Sequence, residues 1–114
     1  MSEQSWYGVR CVFRNRELGV YEERVTLWRA ASFDEAIGRG ESEAREYCAD
    51  LDSVEFTDFA EAYRMDDEPG EGAEVFSLMR ESELPVGEYV ERFFDTGAER
   101  RGRAQQAAGQ GEVR

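Results

Sequence analysis

The spacing of apolar residues predicts two strands at the start of the chain. One covers residues 6–14 and the other residues 21–30, because apolar and polar positions alternate in both with the period of a strand. One side of the first strand carries Tyr7, Val9, Cys11 and Phe13. Asn15 and Gly19 lie in the short connection and are turn formers, so the two strands are predicted to form an antiparallel hairpin.

A helical period replaces the strand period over residues 33–51. Ser32 and Glu35 have the spacing of a capping box, which marks the start of the helix. The apolar stripe of this helix consists of Phe33, Ile37, Gly40, Ala44, Tyr47, Cys48 and Leu51. Glycine costs about 1 kcal/mol relative to alanine in a helix. Because Gly40 lies on the buried stripe, we expect the helix to approach the sheet closely there.

Two further strands are predicted at residues 54–65 and 73–81. Both carry apolar residues on both sides, which indicates that both faces of this second hairpin are covered. The long helix is expected to cover one face. The predicted fold class is therefore α+β: a four-stranded antiparallel sheet made of two hairpins, with one long helix on one face and the order ββαββα.

A short amphipathic helix is predicted near residues 85–95. Pro85 suits its first turn, Gly97 suits its C-terminal cap, and its apolar residues are Val86, Tyr89, Val90, Phe93 and Phe94. This helix either folds back on the second sheet face or docks on a partner. Residues 1–96 are predicted to form a single domain, and residues 97–114 an Arg-containing disordered tail.

The composition removes most of the usual catalytic groups. The 114-residue chain has 26 acidic and 14 basic residues, the basic residues are all arginine, and there is no His or Lys. The chain therefore lacks an imidazole base, a Schiff-base lysine and a phosphate-loop lysine. No Gly-rich phosphate loop or nucleophile elbow is present. We expect a protein that is not an enzyme and has no cofactor.

The acidic charge is concentrated in the middle of the chain. Residues 1–33 contain five Arg and four Glu, residues 34–96 contain five Arg and 20 acidic residues, and residues 97–114 contain four Arg and two Glu. An acidic body repels phosphates, so a nucleic-acid partner is not expected. The charge either attracts a basic protein, imitates a phosphate strand, or simply keeps the chain dissolved.

The chain is expected to be cytoplasmic and without a membrane partner. Its first ten residues lack the pattern of a signal peptide, and no apolar run approaches the length of a membrane span. Cys11 and Cys48 form neither a zinc pattern nor a disulfide framework. Both are predicted to be small buried thiols; a redox pair is the alternative if they meet in space.

Three segments together resemble a known family. These are the strand WYGVRCVFR, the strand YEERVTLWRA running into the capped helix start ASFDEAI, and the stretch AYRMDDEPGEGAEVFSL. The set resembles the bacterial proteins grouped as the domain-of-unknown-function 4288 family, over residues 6–78. The resemblance implies a small bacterial α+β domain and carries no known activity or site residues.

An acidic loop follows the third predicted strand. Its candidate interaction residues are Asp66, Asp67, Glu68 and Glu71. A calcium loop needs ligands at alternate positions and a closing Glu six residues after its glycine, and this segment has neither, so no metal site is predicted. Pro69 and Gly70 favour a hairpin turn. Such a turn is either purely structural or also meets a basic partner.

The first hairpin carries the other candidate residues. A turn centred near Glu17 predicts that Arg10 faces Arg24 and that Trp6 faces Trp28 on one side of the sheet. Tyr7, Val9, Val25 and Leu27 then line the other side. Opposed arginines need a compensating anion or carboxylates. This face is either a satisfied sheet face, a partner or self-association surface rich in hot-spot residues, or a pocket for a small anion.

The leading functional prediction is a non-catalytic cytoplasmic protein-interaction module with an acidic surface. Its partner is a protein, either a basic one that it inhibits or masks, or a second copy in a symmetric dimer. The alternative is a small-anion-binding protein or enzyme with an Arg10/Arg24 site, assisted by Tyr7 or a nearby carboxylate. A subunit of a larger assembly is a third possibility, marked by a broad uncovered apolar patch.

Overall fold

Three strands and two helices follow one another in the order ββαβα in the computed structural model, which describes residues 3–94. They are β1 (Ser5–Asn15), β2 (Val20–Ala30), α1 (Phe33–Ala49), β3 (Val54–Arg64) and α2 (Val86–Phe94). The chain divides into two compact units, Met1–Leu78 and Met79–Arg114. The first unit contains the three strands and α1, and the second contains α2.

The sheet has β1 at its centre and is antiparallel throughout, in the order β2-β1-β3. Alternate residues of β1 face α1 and form the core with small residues of the helix. The buried members are Tyr7, Val9, Cys11, Phe13, Ala30, Ala36, Gly40 and Ala44. Aromatic rings close both ends of this layer, since Tyr7 packs edge-on against Phe33 and Phe13 against Tyr47.

The helix α1 begins as predicted, with a Ser32 cap. The Ser32 hydroxyl accepts from the Glu35 amide at 3.1 Å, and the Glu35 carboxylate accepts from the Ala31 amide at 3.2 Å. The expected close approach at Gly40 is confirmed, because a Cβ atom placed there would lie 2.6 Å from Cγ1 of Val9. The stripe is shorter than predicted: the helix ends at Ala49.

The predicted four-stranded sheet with the order ββαββα is wrong. The sheet has three strands, and residues 73–81 have no strand conformation. Residues 73–78 instead cross the sheet face opposite α1. There the Val75 carbonyl oxygen fills the space that a Cβ of Gly8 would occupy, and the Phe76 ring centroid lies 6.2 Å from that of Tyr63. The Phe76 ring packs on this face, but Val75 and Leu78 are exposed, so the expectation that apolar residues on both sides of this segment are covered is wrong.

The predicted register of the first hairpin is also wrong. The turn has four residues, 16–19: the Asn15 side chain accepts from the Leu18 amide at 2.9 Å, and Gly19 takes a φ of +67°. This length shifts the pairing by one residue, and a one-residue shift exchanges the faces. Observed pairs are Trp6 with Arg29, Tyr7 with Trp28, Arg10 with Val25, and Cys11 with Arg24.

The second unit contains the predicted short helix. Its α2 starts directly after Pro85, whose carbonyl accepts from the Tyr89 amide at 2.9 Å. The ring centroids of Tyr89 and Phe93, four residues apart, lie 4.7 Å from each other. Gly97 and the predicted tail of residues 97–114 lie outside the described residues. Within residues 3–94, neither helix is long and apolar enough to cross a membrane.

Candidate functional site

Arg10 lies on the sheet face opposite α1 and is engaged within the fold. Its guanidinium forms ion pairs with Glu23 on β2, at 3.2 Å, and with Glu61 on β3. The ring centroid of Phe76 lies 4.9 Å from the guanidinium carbon, in cation–π geometry. Carboxylates from both neighbouring strands therefore compensate this charge, and the Arg10 side chain is only 16% exposed.

Arg24 lies on the other face of the sheet, beneath α1. It binds the Glu43 carboxylate of α1 through two nitrogens, at 3.0 and 3.2 Å, and its guanidinium carbon lies 3.7 Å from the centroid of the Tyr47 ring. The Tyr47 hydroxyl donates to Glu22 at 2.8 Å, and this hydrogen bond to a carboxylate raises the pKa of Tyr47. These contacts tie β2 to the helix.

The two arginines therefore do not share a pocket. Arg10 and Arg24 project from opposite faces of the sheet, as do Trp6 and Trp28, because the observed pairing is shifted by one residue from that predicted for a turn centred near Glu17. The predicted pairing of the two guanidinium groups around a small anion is wrong for this geometry. Trp28 instead donates from Nε1 to the Thr26 hydroxyl at 2.7 Å.

Four of the predicted interaction residues meet at the end of the sheet where β1 starts and β3 finishes. They line an open cleft of about 400 Å³, which we call the end cleft. Its lining residues are Gln4, Ser5, Trp6, Arg29, Arg64, Met65, Asp66, Asp67 and Glu68. The amide of the buried Met65 donates to the Trp6 carbonyl at 2.8 Å, which holds the acidic loop beside the start of β1.

The end cleft combines an aromatic ring with charges of both signs. The carboxylates of Asp66, Asp67 and Glu68 belong to exposed residues, and the guanidinium carbon of Arg29 lies 5.9 Å from the Trp6 ring centroid. The Trp6 ring is thus already positioned to accept a cation on its face. Carboxylates and an aromatic face together are suited to bind a guanidinium or ammonium group.

Glu71 is not among the residues that line the end cleft, and its position is set by a turn. The Ala73 amide donates to the Gly70 carbonyl at 3.0 Å, and Gly72 has a φ of +80°, as in a type II turn. A turn is therefore present as predicted. It does not connect two strands, so the predicted acidic hairpin is wrong.

The sequence reasoning missed the arginines of the end cleft, although a signal for them was present. Arg29 lies at the end of β2, and Arg64 is the last residue of β3. Both strands run antiparallel to β1, so their last residues must come close to its first residues. Reading the strand ends together, rather than each strand alone, finds this site.

The described residues contain no metal-binding cluster, and their two cysteines form no disulfide. Within residues 3–94, no group of three or more Cys, Asp or Glu side chains is arranged to hold a metal ion. Both cysteines are free. Cys11 is buried, and burial together with the carboxylates of Glu43 and Glu41 raises the pKa of its thiol. Cys48 is only half-buried, so the prediction of two buried thiols is wrong for this residue.

The two thiols are expected to differ in reactivity. Because the thiolate is the reactive form, iodoacetamide at mildly alkaline pH should modify Cys48 in the folded protein and spare Cys11. Mass spectrometry before and after addition of urea measures this, with one modification expected in the folded chain and two in the unfolded chain. The Cys48→Ser variant should remain unmodified while folded. Equal rates at both positions would contradict the buried position of Cys11.

Comparison of the chain with protein-family models, curated proteins and solved structures finds no match. The resemblance to the domain-of-unknown-function 4288 family stays a prediction.

Proposed function

We propose that this chain is a non-catalytic, cytoplasmic protein-interaction module that binds a basic protein partner. The end cleft is the proposed contact point for a Lys or Arg side chain of that partner. The observation that carries the proposal is the position of the Trp6 ring beside the exposed, consecutive carboxylates of Asp66, Asp67 and Glu68.

The charge balance supports a basic partner. Within the described residues, Arg10, Arg16 and Arg24 form side-chain ion pairs with four glutamates. The whole chain carries 26 acidic residues, so most of its negative charge is not used in these pairs. An uncompensated field of one sign attracts a partner of the opposite sign and accelerates encounter, and salt screens this attraction.

The chemistry of the end cleft gives this attraction a point of attachment. An incoming guanidinium or ammonium group replaces Arg29 over the Trp6 ring and donates hydrogen bonds to the neighbouring carboxylates. Surface charge then supplies the encounter rate, and the aromatic contact supplies affinity. A protein that masks a basic partner in this way acts as an inhibitor of the immunity type.

Capture of partners with the tagged full-length chain tests the proposal. From a lysate of the source cells, wild type is expected to retain a basic protein at low salt and to release it at high salt. The triple variant D66N/D67N/E68Q should retain at least about tenfold less of the same protein, since each charged hydrogen bond contributes roughly 1.5–3 kcal/mol.

A matched control separates the end cleft from net charge. The variant E46Q/D52N/D58N makes the same chemical changes at exposed positions that do not line the end cleft. It should lose much less binding than D66N/D67N/E68Q, because it weakens only the long-range field. Equal losses in the two variants, or no protein captured at low salt, would rule out the end cleft as the binding site.

A further inference from the structure

The two outer strands of the sheet differ in how well they are protected against further pairing. The pairing of β3 with β1 is interrupted between Cys11 and Phe13, and Asp58 in this bulge has a φ of +69°. Such bulges make an edge strand less able to pair with a further strand. By contrast, β2 pairs with β1 without interruption from Val20 to Ala30, and it contains no Pro and no Gly. Within the described residues, β2 pairs with β1 alone.

We propose that two copies of this chain associate through their β2 strands, antiparallel and centred on Thr26, to form one six-stranded sheet. In this arrangement the strand is complementary to itself. The opposing residues, each pair occurring twice, are Glu23 with Arg29, Arg24 with Trp28, and Val25 with Leu27. The first pair is an ion pair, the second a cation–π pair and the third an apolar pair.

The charges also select this centre over its neighbours. When the twofold axis is perpendicular to the sheet, residues that face each other across the interface lie on the same side of the sheet. The axis must therefore pass through a residue position, and the alternative centres are one residue apart. Centring on Val25 places Glu23 opposite Leu27, and centring on Leu27 places Arg29 opposite Val25. Either shift loses both ion pairs. Centring on Thr26 also covers Val25 and Leu27, which are exposed in the single chain.

The dimer and the proposed basic partner have Arg29 in common, which lines the end cleft and faces Glu23 in the dimer, but they use different carboxylates. The carboxylates of Asp66, Asp67 and Glu68 take no part in the β2 pairing. The variant D66N/D67N/E68Q should therefore lose capture of the basic protein and keep its association with itself. The two proposals thus succeed or fail on different measurements.

Analytical ultracentrifugation of the full chain tests the dimer. Wild type is expected to reach twice the 13.1 kDa chain mass as its concentration rises. In E23R alone, arginines face each other at both former ion pairs, and in R29E alone, glutamates do. Each variant should associate at least about tenfold more weakly than wild type. An equimolar mixture of E23R and R29E should dimerise again, because the two variants together restore opposite charges at both pairs.

Controls address the local roles of the substituted residues. Glu23 also forms an ion pair with Arg10 within its own chain. E23R lacks this contact both alone and in the mixture with R29E, so recovery of the dimer on mixing cannot come from it. The variant D52R makes the same charge change as E23R but outside β2, and it should dimerise like wild type. Circular dichroism verifies that each variant is folded.

Hydrogen exchange of the wild type gives a second test that needs no variant. Amides of β2 are expected to become more protected as protein concentration rises, and amides of β3 are not. A wild type that stays monomeric at its highest soluble concentration would overturn the proposal. So would single variants that dimerise as wild type does, a mixture of folded variants that stays monomeric, or β2 protection that is independent of concentration.

Discussion

Replacing Phe13 with alanine is expected to lower the free energy of unfolding by about 3–5 kcal/mol, the range for a fully buried phenylalanine. Phe13 is completely buried on the central strand, and its ring centroid lies 5.0 Å from that of Tyr47 and 5.5 Å from that of Phe56. The ring thus joins β1 to both α1 and β3. Alanine would leave a cavity between elements that are each fixed by their own hydrogen bonds.

Urea unfolding followed by circular dichroism measures this loss, with F59A as the control. Phe59 lies in β3, but its side chain is about half exposed. The same chemical change there should cost roughly 1 kcal/mol or less, as is usual for exposed positions. If F13A and F59A lowered stability equally, the ring of Phe13 would not be in the core. An unchanged denaturant slope in both variants would assign the difference between them to stability rather than to a change in the unfolded state.

Local signals in the sequence were sufficient for the elements of the first half of the chain. The alternation in residues 6–14 and 21–30 predicted β1 and β2, and the Ser32/Glu35 capping box predicted the start of α1. Each of these signals depends on residues close together in sequence. They could therefore be evaluated without knowledge of what packs against them.

The segment after the acidic loop could not be predicted in the same way. An apolar run such as residues 73–78 can form a strand at a sheet edge or an extended stretch that lies on a sheet face. The two cannot be distinguished from the apolar pattern, because both structures bury apolar side chains. The deciding feature is distant in sequence: Gly8 leaves room on the sheet face for the Val75 carbonyl. The sequence shows the glycine but does not show which segment uses the space.

The pairing of the first hairpin failed for a different reason. Asn15 and Gly19 correctly marked a turn, but their positions are compatible with a turn of either three or four residues. One residue decides which side chains share a face, so the proposed Arg10/Arg24 site depended on the least certain feature of the hairpin. The end cleft depends less on that choice, because it is built from strand ends and an adjoining loop.

Two glycines of α1 are expected to respond in opposite directions to the same substitution. Gly38→Ala should raise the free energy of unfolding by about 0.4–1 kcal/mol, because alanine is the better helix former and a Cβ there meets nothing within 4 Å. Gly40→Ala gains the same helix propensity, but its Cβ would lie 2.6 Å from Cγ1 and 3.1 Å from Cβ of Val9. Val9 is fully buried, and its β-branched side chain has little rotational freedom at χ1.

Overpacking of this kind typically costs about 1–3 kcal/mol, which exceeds the gain in helix propensity. A net loss of up to about 2.5 kcal/mol is therefore expected for Gly40→Ala. Chemical denaturation of the two variants and of wild type measures the change in the free energy of unfolding for each substitution. Gly38→Ala serves as the control for helix propensity. If both substitutions stabilised the protein, α1 would not lie against Val9. The helix would then have to cover the sheet along a different line, and Gly40 would have no packing role.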